Sequence, residues 1–155
     1  MNTLKLILTP DKPDNPGDQL MFSRGYVIWE GKMYVDEAFH SLAEKHLSNG
    51  TILDLIPSYN GNFILAFCLK GTYHIANDRW GIYPVYYWKS DREIRLSTDW
   101  KWVAEKSTRK YRAHSLVESL AFGHVMDQGT LLEDVFELQA ASINSISARA
   151  PMQME

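Results

Sequence analysis

Short apolar runs separated by turn residues dominate this chain, and they predict more strand than helix. Thr3 to Thr9 reads as a strand, and the loop after it, 10–18, carries three of the six prolines. Leu20 to Ser23 reads as a short strand. Tyr26-Val27-Ile28-Trp29 and Met33-Tyr34-Val35 are β-type runs on either side of Glu30-Gly31-Lys32, a hairpin signal. Asp36 is placed to cap a helix in which Ala38, Leu42, Ala43 and Leu47 share a face, and Asn49-Gly50 closes it. Asn60-Gly61 reads as the start of the next turn. Phe63 to Leu69 is then continuously apolar, as a strand buried on both faces would be, and Lys70-Gly71 turns it tightly into Thr72 to Ala76.

A loop with Gly81 and Pro84 leads into Val85-Tyr86-Tyr87-Trp88, and Ser90-Asp91-Arg92 turns the chain again. Ile94, Leu96 and Thr98 alternate with polar neighbours as a strand does. A short helix is expected within Ser97 to Lys106, with Trp102 and Val103 inward, and a second over His114 to Phe122, ending at Gly123. Leu131 to Leu138 and Ile143 to Ile146 are the late strand candidates. Tight hairpins imply antiparallel pairing. Runs that are apolar on both faces imply a covering layer of sheet or helix. The pattern predicts an antiparallel α+β domain.

Composition narrows this little. The 155 residues suit one domain with a real core, and 45% hydrophobic with 23% charged residues is ordinary globular material. A net charge of −3 gives no electrostatic reason to expect nucleic acid or an anionic membrane as partner. The single cysteine, Cys68, excludes an intrachain disulfide framework. The run after Met1 is too short for a signal peptide, and no stretch has the length of a membrane span, so a cytoplasmic protein is expected.

Three segments carry a more specific signal. They are Asn60-Gly61-Asn62-Phe63-Ile64-Leu65-Ala66-Phe67, Ala76-Asn77-Asp78-Arg79-Trp80-Gly81-Ile82-Tyr83-Pro84-Val85-Tyr86-Tyr87, and Leu96-Ser97-Thr98-Asp99-Trp100-Lys101. Phe122-Gly123 and Gly129-Thr130-Leu131-Leu132-Glu133-Asp134-Val135 follow in order. Together, over about Val27 to Ile146, they resemble the glutaminase (class II glutamine amidotransferase) domain of the asparagine synthetase family. The counterparts there are a Gly-x-Phe-Ala-Phe-Ala strand, an Arg-Asp-x-x-Gly-Ile-x-Pro-Leu-Tyr-Tyr stretch, Ala-Ser-Glu-x-Lys and Gly-Thr-Leu-Phe-x-Gly-Ile. The resemblance implies an αββα sandwich of antiparallel sheets with the N-terminal nucleophile hydrolase-like fold. It places one domain at 1–146 and a tail at 147–155. Asp78, Gly81, Pro84 and Tyr87 are then fold-defining rather than catalytic. Asp78 accepts backbone N–H groups in a turn, Gly81 permits an unusual φ, and Pro84 leads into the next strand.

The chemistry of such a domain needs an N-terminal cysteine whose own α-amine is the base. Here Met1 is followed by Asn2, and Cys68 lies inside the apolar run, where a small buried hydrophobe is the simpler reading. Thr3 could serve only after unusual trimming. The family's Asn-Gly-Glu-Ile-Tyr-Asn, which supplies an oxyanion donor and a clamp for the substrate amine, has its best match in Glu30-Gly31-Lys32-Met33-Tyr34-Val35. Glu30 then replaces the donor and Lys32 the clamp, leaving Glu30, Gly31 and Lys32 as a remnant pocket. No Gly-Ser-Asp stretch is present, and nothing places Arg24 as a carboxylate-binding arginine. No catalytic residue, metal site or cofactor is assigned. Glu37, His40 and Glu44 share a helix face that solvation explains.

The resemblance thus implies a catalytically inactive glutaminase-like domain of an ATP-dependent amide ligase, as at the front of β-lactam synthetases, which no longer use glutamine. Because the chain stops at Glu155, before any synthetase domain with its pyrophosphate loop, a separate synthetase-type domain or subunit is the expected partner. A homo-oligomer is compatible with this. Lys101, Lys106, Arg109, Lys110 and Arg112, interleaved with Trp100, Trp102 and Tyr111, form the expected docking surface, centred on Trp100, Lys101, Arg109 and Lys110. Two alternatives stay open: an active amidohydrolase with a non-standard nucleophile, and a small-ligand sensor built on the remnant pocket.

Overall fold

The computed structural model describes residues 3–9 and 17–147. Most of the proline-rich loop, Met1 and Asn2, and all of the expected tail except Ser147 lie outside the described residues. The chain forms two compact units, each built on one antiparallel sheet. The class is α+β, as the apolar pattern predicts.

The larger unit holds 17–83 and 140–147. Its strands are β2 (Gln19–Trp29), β3 (Lys32–Val35), β4 (Asn60–Leu69), β5 (Thr72–Asn77) and β9 (Ile143–Ser147), in the order β3-β2-β4-β5-β9. Phe63 to Cys68 in β4 are buried on both faces, which explains the unbroken apolar run. On one face Phe63, Leu65 and Phe67 pack with Val27 and with Phe39, Leu42, Ala43 and Leu47 of helix α1 (Glu37–Ser48). Truncating one of these large side chains to Ala costs about 3–5 kcal/mol in a core that cannot collapse. Ile64, Ala66 and Cys68, on the opposite face, are equally buried. The β4–β5 hairpin turns at Lys70 (φ 52°) and Gly71 (φ 77°), the tight two-residue geometry its sequence implies.

Several boundaries differ from expectation. The two runs Leu20–Ser23 and Tyr26–Trp29 form one strand, β2, which passes through Gly25 at φ 100° with a register shift between Leu20 and Phe22. Asn60-Gly61 is not a turn. It begins β4 opposite Ile28 and Val27, and the chain reverses earlier, in the short helix α2 (Ile52–Leu55) and a turn of 3-10 helix (Ile56–Ser58), both unforeseen. In α1 the core stripe is Phe39, Leu42, Ala43, His46 and Leu47, with Ala38 exposed. Leu42, Ala43 and Leu47 are in it as expected, while Phe39 takes the place expected for Ala38 and His46, a polar residue, joins the stripe on the helical period. Asp36 precedes α1 but makes no side-chain cap; at φ 46° its N–H instead donates to the Gly25 carbonyl at 3.0 Å. Asn49 and Gly50 (φ 70°) close the helix as expected.

The second unit holds 3–9 and Pro84–Gln139. Its sheet has the order β1-β7-β6-β8, with β1 (Lys5–Leu8), β6 (Tyr86–Lys89), β7 (Ile94–Ser97) and β8 (Val135–Glu137). Helix α3 (Trp100–Ala104) is capped by Asp99, whose Oδ1 accepts from the Lys101 and Trp102 N–H groups. Val103 is fully buried and Trp102 partly, as expected. Helix α4 (Ala113–Phe122) ends at Gly123 in the left-handed region. The strand expected over Leu131–Leu138 shrinks to Val135–Glu137. The Thr130 hydroxyl accepts from the Leu132 N–H and donates to the Val135 carbonyl at 2.7 Å, which bends the chain before β8.

Gly25 tests the central sheet. A Cβ there would lie 2.1 Å from the Asn62 carbonyl oxygen and 2.8 Å from the Tyr83 ring, at a φ that L-residues resist. Gly25→Ala is expected to lower the unfolding free energy by roughly 3 kcal/mol or more, read from urea denaturation, whereas Gly17→Ala, which meets open space at φ 76°, costs only the left-handed backbone penalty of roughly 1–2 kcal/mol.

Candidate functional site

The chemically distinctive end of the five-stranded sheet is where β2 and β5 leave and β4 and β9 enter. Ile28 pairs with Asn60, but β5 reaches only Asn77, opposite Ile64. β2 and β4 therefore project beyond β5 and β9, leaving a step. The 3-10 turn lies at one side of the step and the turn after Asn77 at the other. Between them is a cleft of about 730 Å³, lined by Ile56–Gly61, Phe63, Asn77–Trp80 and Ala141–Ile143.

Asp78 forms the rigid wall of this cleft. It is 1% exposed, and its carboxylate accepts from three backbone N–H groups: Trp80 at 2.8 Å, Phe63 at 3.2 Å and Ile82 at 3.3 Å. Its carbonyl accepts from Gly81 and Ala141, tying the strand ends together. Asn77 continues the wall, with Oδ1 accepting from the Ser142 N–H at 3.1 Å. Gly81, at φ 61°, completes the turn, and a Cβ there would press on Ala140 at 3.2 Å. The turn role read from the sequence for Asp78 and Gly81 is what these residues perform. Arg79 is exposed and Trp80 is 74% exposed, so a cation and an indole stand at its mouth, with the exposed Asn60 also in the lining.

A buried polar cluster lies behind the 3-10 turn. His46 Nδ1 and the Tyr59 hydroxyl are 2.6 Å apart, and the Trp29 ring meets His46 edge-on at 4.6 Å. Burial pushes the Tyr59 phenol up to about 12. Burial also pulls His46 below the ordinary imidazole value; the Lys45 ammonium adds to this, and the Glu30 carboxylate opposes it. No sequence signal marked this cluster, because a lone histidine in a helix and a tyrosine before a strand have no diagnostic spacing. On the same sheet His74 stacks on Phe67 at 5.0 Å and bonds Ser145 Oγ at 2.9 Å, and burial lowers its pKa too.

Glu30, Gly31 and Lys32 lie at this same end, in the β2–β3 turn. Glu30 (φ 50°) and Gly31 (φ 75°) form the tight two-residue turn, and Lys32 opens β3 with its ammonium 5.1 Å from the Tyr34 ring centre. All three are exposed, and none lines the cleft. Cys68 is fully buried towards the far end of β4, paired with Gln19 and Tyr73, and burial raises its thiol pKa. Arg24 lies over the Tyr83 ring, 4.8 Å from its centre. His40 bonds Ser23 Oγ at 2.8 Å and approaches Glu44 at 3.4 Å. Among the described residues no group of three His, Cys, Asp or Glu side chains is placed to hold a metal ion.

The remaining sequence-selected residues belong to the other unit. Pro84 leads towards β6, and Tyr87 in β6 stacks on Phe136 at 5.4 Å. Lys101, Arg109 and Lys110 are exposed and Trp100 is 37% exposed, while Trp102 and Arg112 are not free. Lys5 and Arg95 lie on the Trp102 ring at 5.5 and 4.9 Å. The Arg112 guanidinium donates to the Glu133 carbonyl at 2.8 Å and covers Phe136. Among the described residues no helix is long and apolar enough to cross a membrane. No protein-family model matches the chain, and no curated protein matches it significantly.

The two buried imidazoles fix the sign of a pH effect. Their folded pKa values lie below the unfolded value of about 6.5, so the unfolded chain binds more protons below that pH. Their contribution is complete above pH of about 6.5 and is lost as pH falls. The slope of unfolding free energy against pH, from urea titrations just below neutrality, should be smaller in His74→Asn than in the parent. An unchanged slope would remove His74 from the account. The turn makes a second prediction. Asn tolerates positive φ better than Glu, so Glu30→Asn should stabilise the fold by about 0.5–1 kcal/mol, measured the same way.

Proposed function

We propose that this chain is a glutaminase-like domain, with the N-terminal nucleophile hydrolase-like fold, that does not hydrolyse glutamine. It serves as a structural or docking module for a synthetase-type domain or subunit of an ATP-dependent amide ligase. The observation that carries this reading is the charge on the β2–β3 turn. Where the resemblance calls for an amide donor to a developing oxyanion, the turn offers the Glu30 carboxylate; where it calls for a carboxylate to hold an ammonium, it offers Lys32. Loss of one oxyanion donor alone costs about 3 kcal/mol of transition-state stabilisation, and a like charge in its place adds repulsion. Cys68 supports the reading as well. A thiol with no exposure and a raised pKa is neither accessible nor ionised, the two properties a nucleophilic cysteine needs. On this reading the partner meets the exposed Trp100, Lys101, Arg109 and Lys110.

The cleft favours one alternative, a small-ligand site. Arg79 and Trp80 at its mouth suit an anionic or planar ligand better than a neutral aliphatic one.

Ammonia release from glutamine, measured with the intact mass of the same sample, tests the main reading. The expected outcome is no release above a blank, both for the parent and for Cys68→Ser. Release that exceeds the blank would overturn it, and the mass would identify the N-terminal residue of the active species.

A further inference from the structure

The cleft carries one residue of backbone that the sheet does not use. Residues of an antiparallel strand turn their N–H and C=O groups alternately to the two neighbouring strands. Phe63 turns both to Asp78: its N–H donates to the Asp78 carboxylate at 3.2 Å, and its carbonyl accepts from the Asp78 N–H at 3.0 Å. Two residues earlier, Gly61 therefore turns both of its groups the same way, away from β2. Its α-carbon agrees, since a Cβ there would point at β2, 2.2 Å from the Tyr26 carbonyl oxygen. On the side away from β2, β5 pairs with β4 only from Ile64 onwards. Gly61 is half-buried and lines the cleft, and on that side its N–H and carbonyl have no partner among the described residues.

Both of those groups call for a hydrogen bond. A residue of an extended peptide brings one N–H and one C=O side by side, and satisfies both at once by adding a short strand at the sheet edge. The rest of the lining narrows the class of ligand. Ile56, Pro57, Tyr59, Phe63 and Ile143 give an apolar wall. The Asp78 carboxylate already accepts three backbone N–H groups, so its charge is satisfied within the wall. Arg79 is exposed at the mouth with no acidic partner among the described residues, and a guanidinium pairs a carboxylate through two parallel hydrogen bonds. The volume, about 730 Å³, lies within the roughly 300–1,000 Å³ usual for small-molecule sites.

We propose that the cleft binds the carboxy-terminal end of an apolar peptide. One ligand residue exchanges two backbone hydrogen bonds with Gly61, the next carries its free carboxylate to Arg79, and an apolar side chain rests against Ile56 and Ile143. This rests on the cleft being a small-ligand site and not on the glutaminase-like reading.

Amide-detected NMR titration of the full chain with acetyl-Leu-Phe tests it. The free acid should bind with a dissociation constant below about 1 mM and shift the Gly61 amide signal. Amidating its C-terminus should weaken binding at least about tenfold, and so should methylating the leucine nitrogen, which removes the N–H offered to the Gly61 carbonyl. Arg79→Gln changes an exposed side chain and should leave the spectrum folded. It should weaken the acid about tenfold and the amide less than about twofold, since only the acid has the charge that Arg79 pairs. Indole-3-acetate, a planar carboxylate with no peptide unit, distinguishes a peptide site from a site for planar anions at large. Arg79-dependent binding of indole-3-acetate without binding of the peptide acid would overturn the proposal while keeping a ligand site. Equal binding of the peptide and its N-methyl form, or binding that leaves the Gly61 signal unmoved, would also overturn it. Binding of neither compound would overturn the ligand site itself.

Discussion

The larger unit is organised by the burial of β4 on both faces. A strand buried on both faces must find its backbone partners within the sheet, so β4 is flanked by β2 from Asn60 to Cys68 and by β5 from Ile64 to Leu69. This demand makes β2 eleven residues long. It also explains two glycines where backbones cross closely. Gly25 passes beside Asn62, and Gly61 passes beside Tyr26, where a Cβ would meet the carbonyl oxygen at 2.2 Å. Phe63, Leu65 and Phe67 then form the face on which α1 docks, with the Phe63 ring meeting the Phe39 ring edge-on at 5.7 Å.

The step at the end of this sheet is a consequence of the same arrangement. β4 begins four residues ahead of the point where β5 ends, so the loops on either side must close over the difference. Asp78 closes one side. With three N–H groups on its carboxylate it satisfies backbone groups that the missing strand pairs leave behind. The 3-10 turn closes the other, and its Tyr59 hydroxyl meets the one polar group that α1 buries, His46. The cleft is thus framed in part by side chains that hold the fold, Asp78 and Asn77 among them, with Arg79 and Trp80 exposed at its rim.

The hairpins, the apolar run of β4, both closing glycines of the helices and the turn role of Asp78 were legible in local sequence, since each depends on φ preferences or side-chain period within a few residues. The core stripe of α1 was half legible: Leu42, Ala43 and Leu47 follow from spacing, but His46 does not, because its place inside depends on a tyrosine thirteen residues away. The apolar residues of α4 were visible as a helix and would ordinarily be assigned to the core. Their exposure follows from Glu118 and Ser115 being engaged inward, which no helical period reveals.

By itself the sequence determined the α+β class, the antiparallel pairing and the turns at Glu30-Gly31, Lys70-Gly71 and Asp78–Gly81, all set by short-range sterics and periodicity. It also determined that Glu30 and Lys32, of opposite charge, stand on either side of Gly31 where β2 meets β3. The tertiary structure decided what depends on distant residues meeting. It joined two apolar runs into one strand through Gly25, placed the cleft beside the ends of β4 and β5, and paired His46 with Tyr59. It also left the apolar face of α4 uncovered. Burial and hydrogen-bond satisfaction are properties of a side chain's three-dimensional neighbours, and no local pattern contains them.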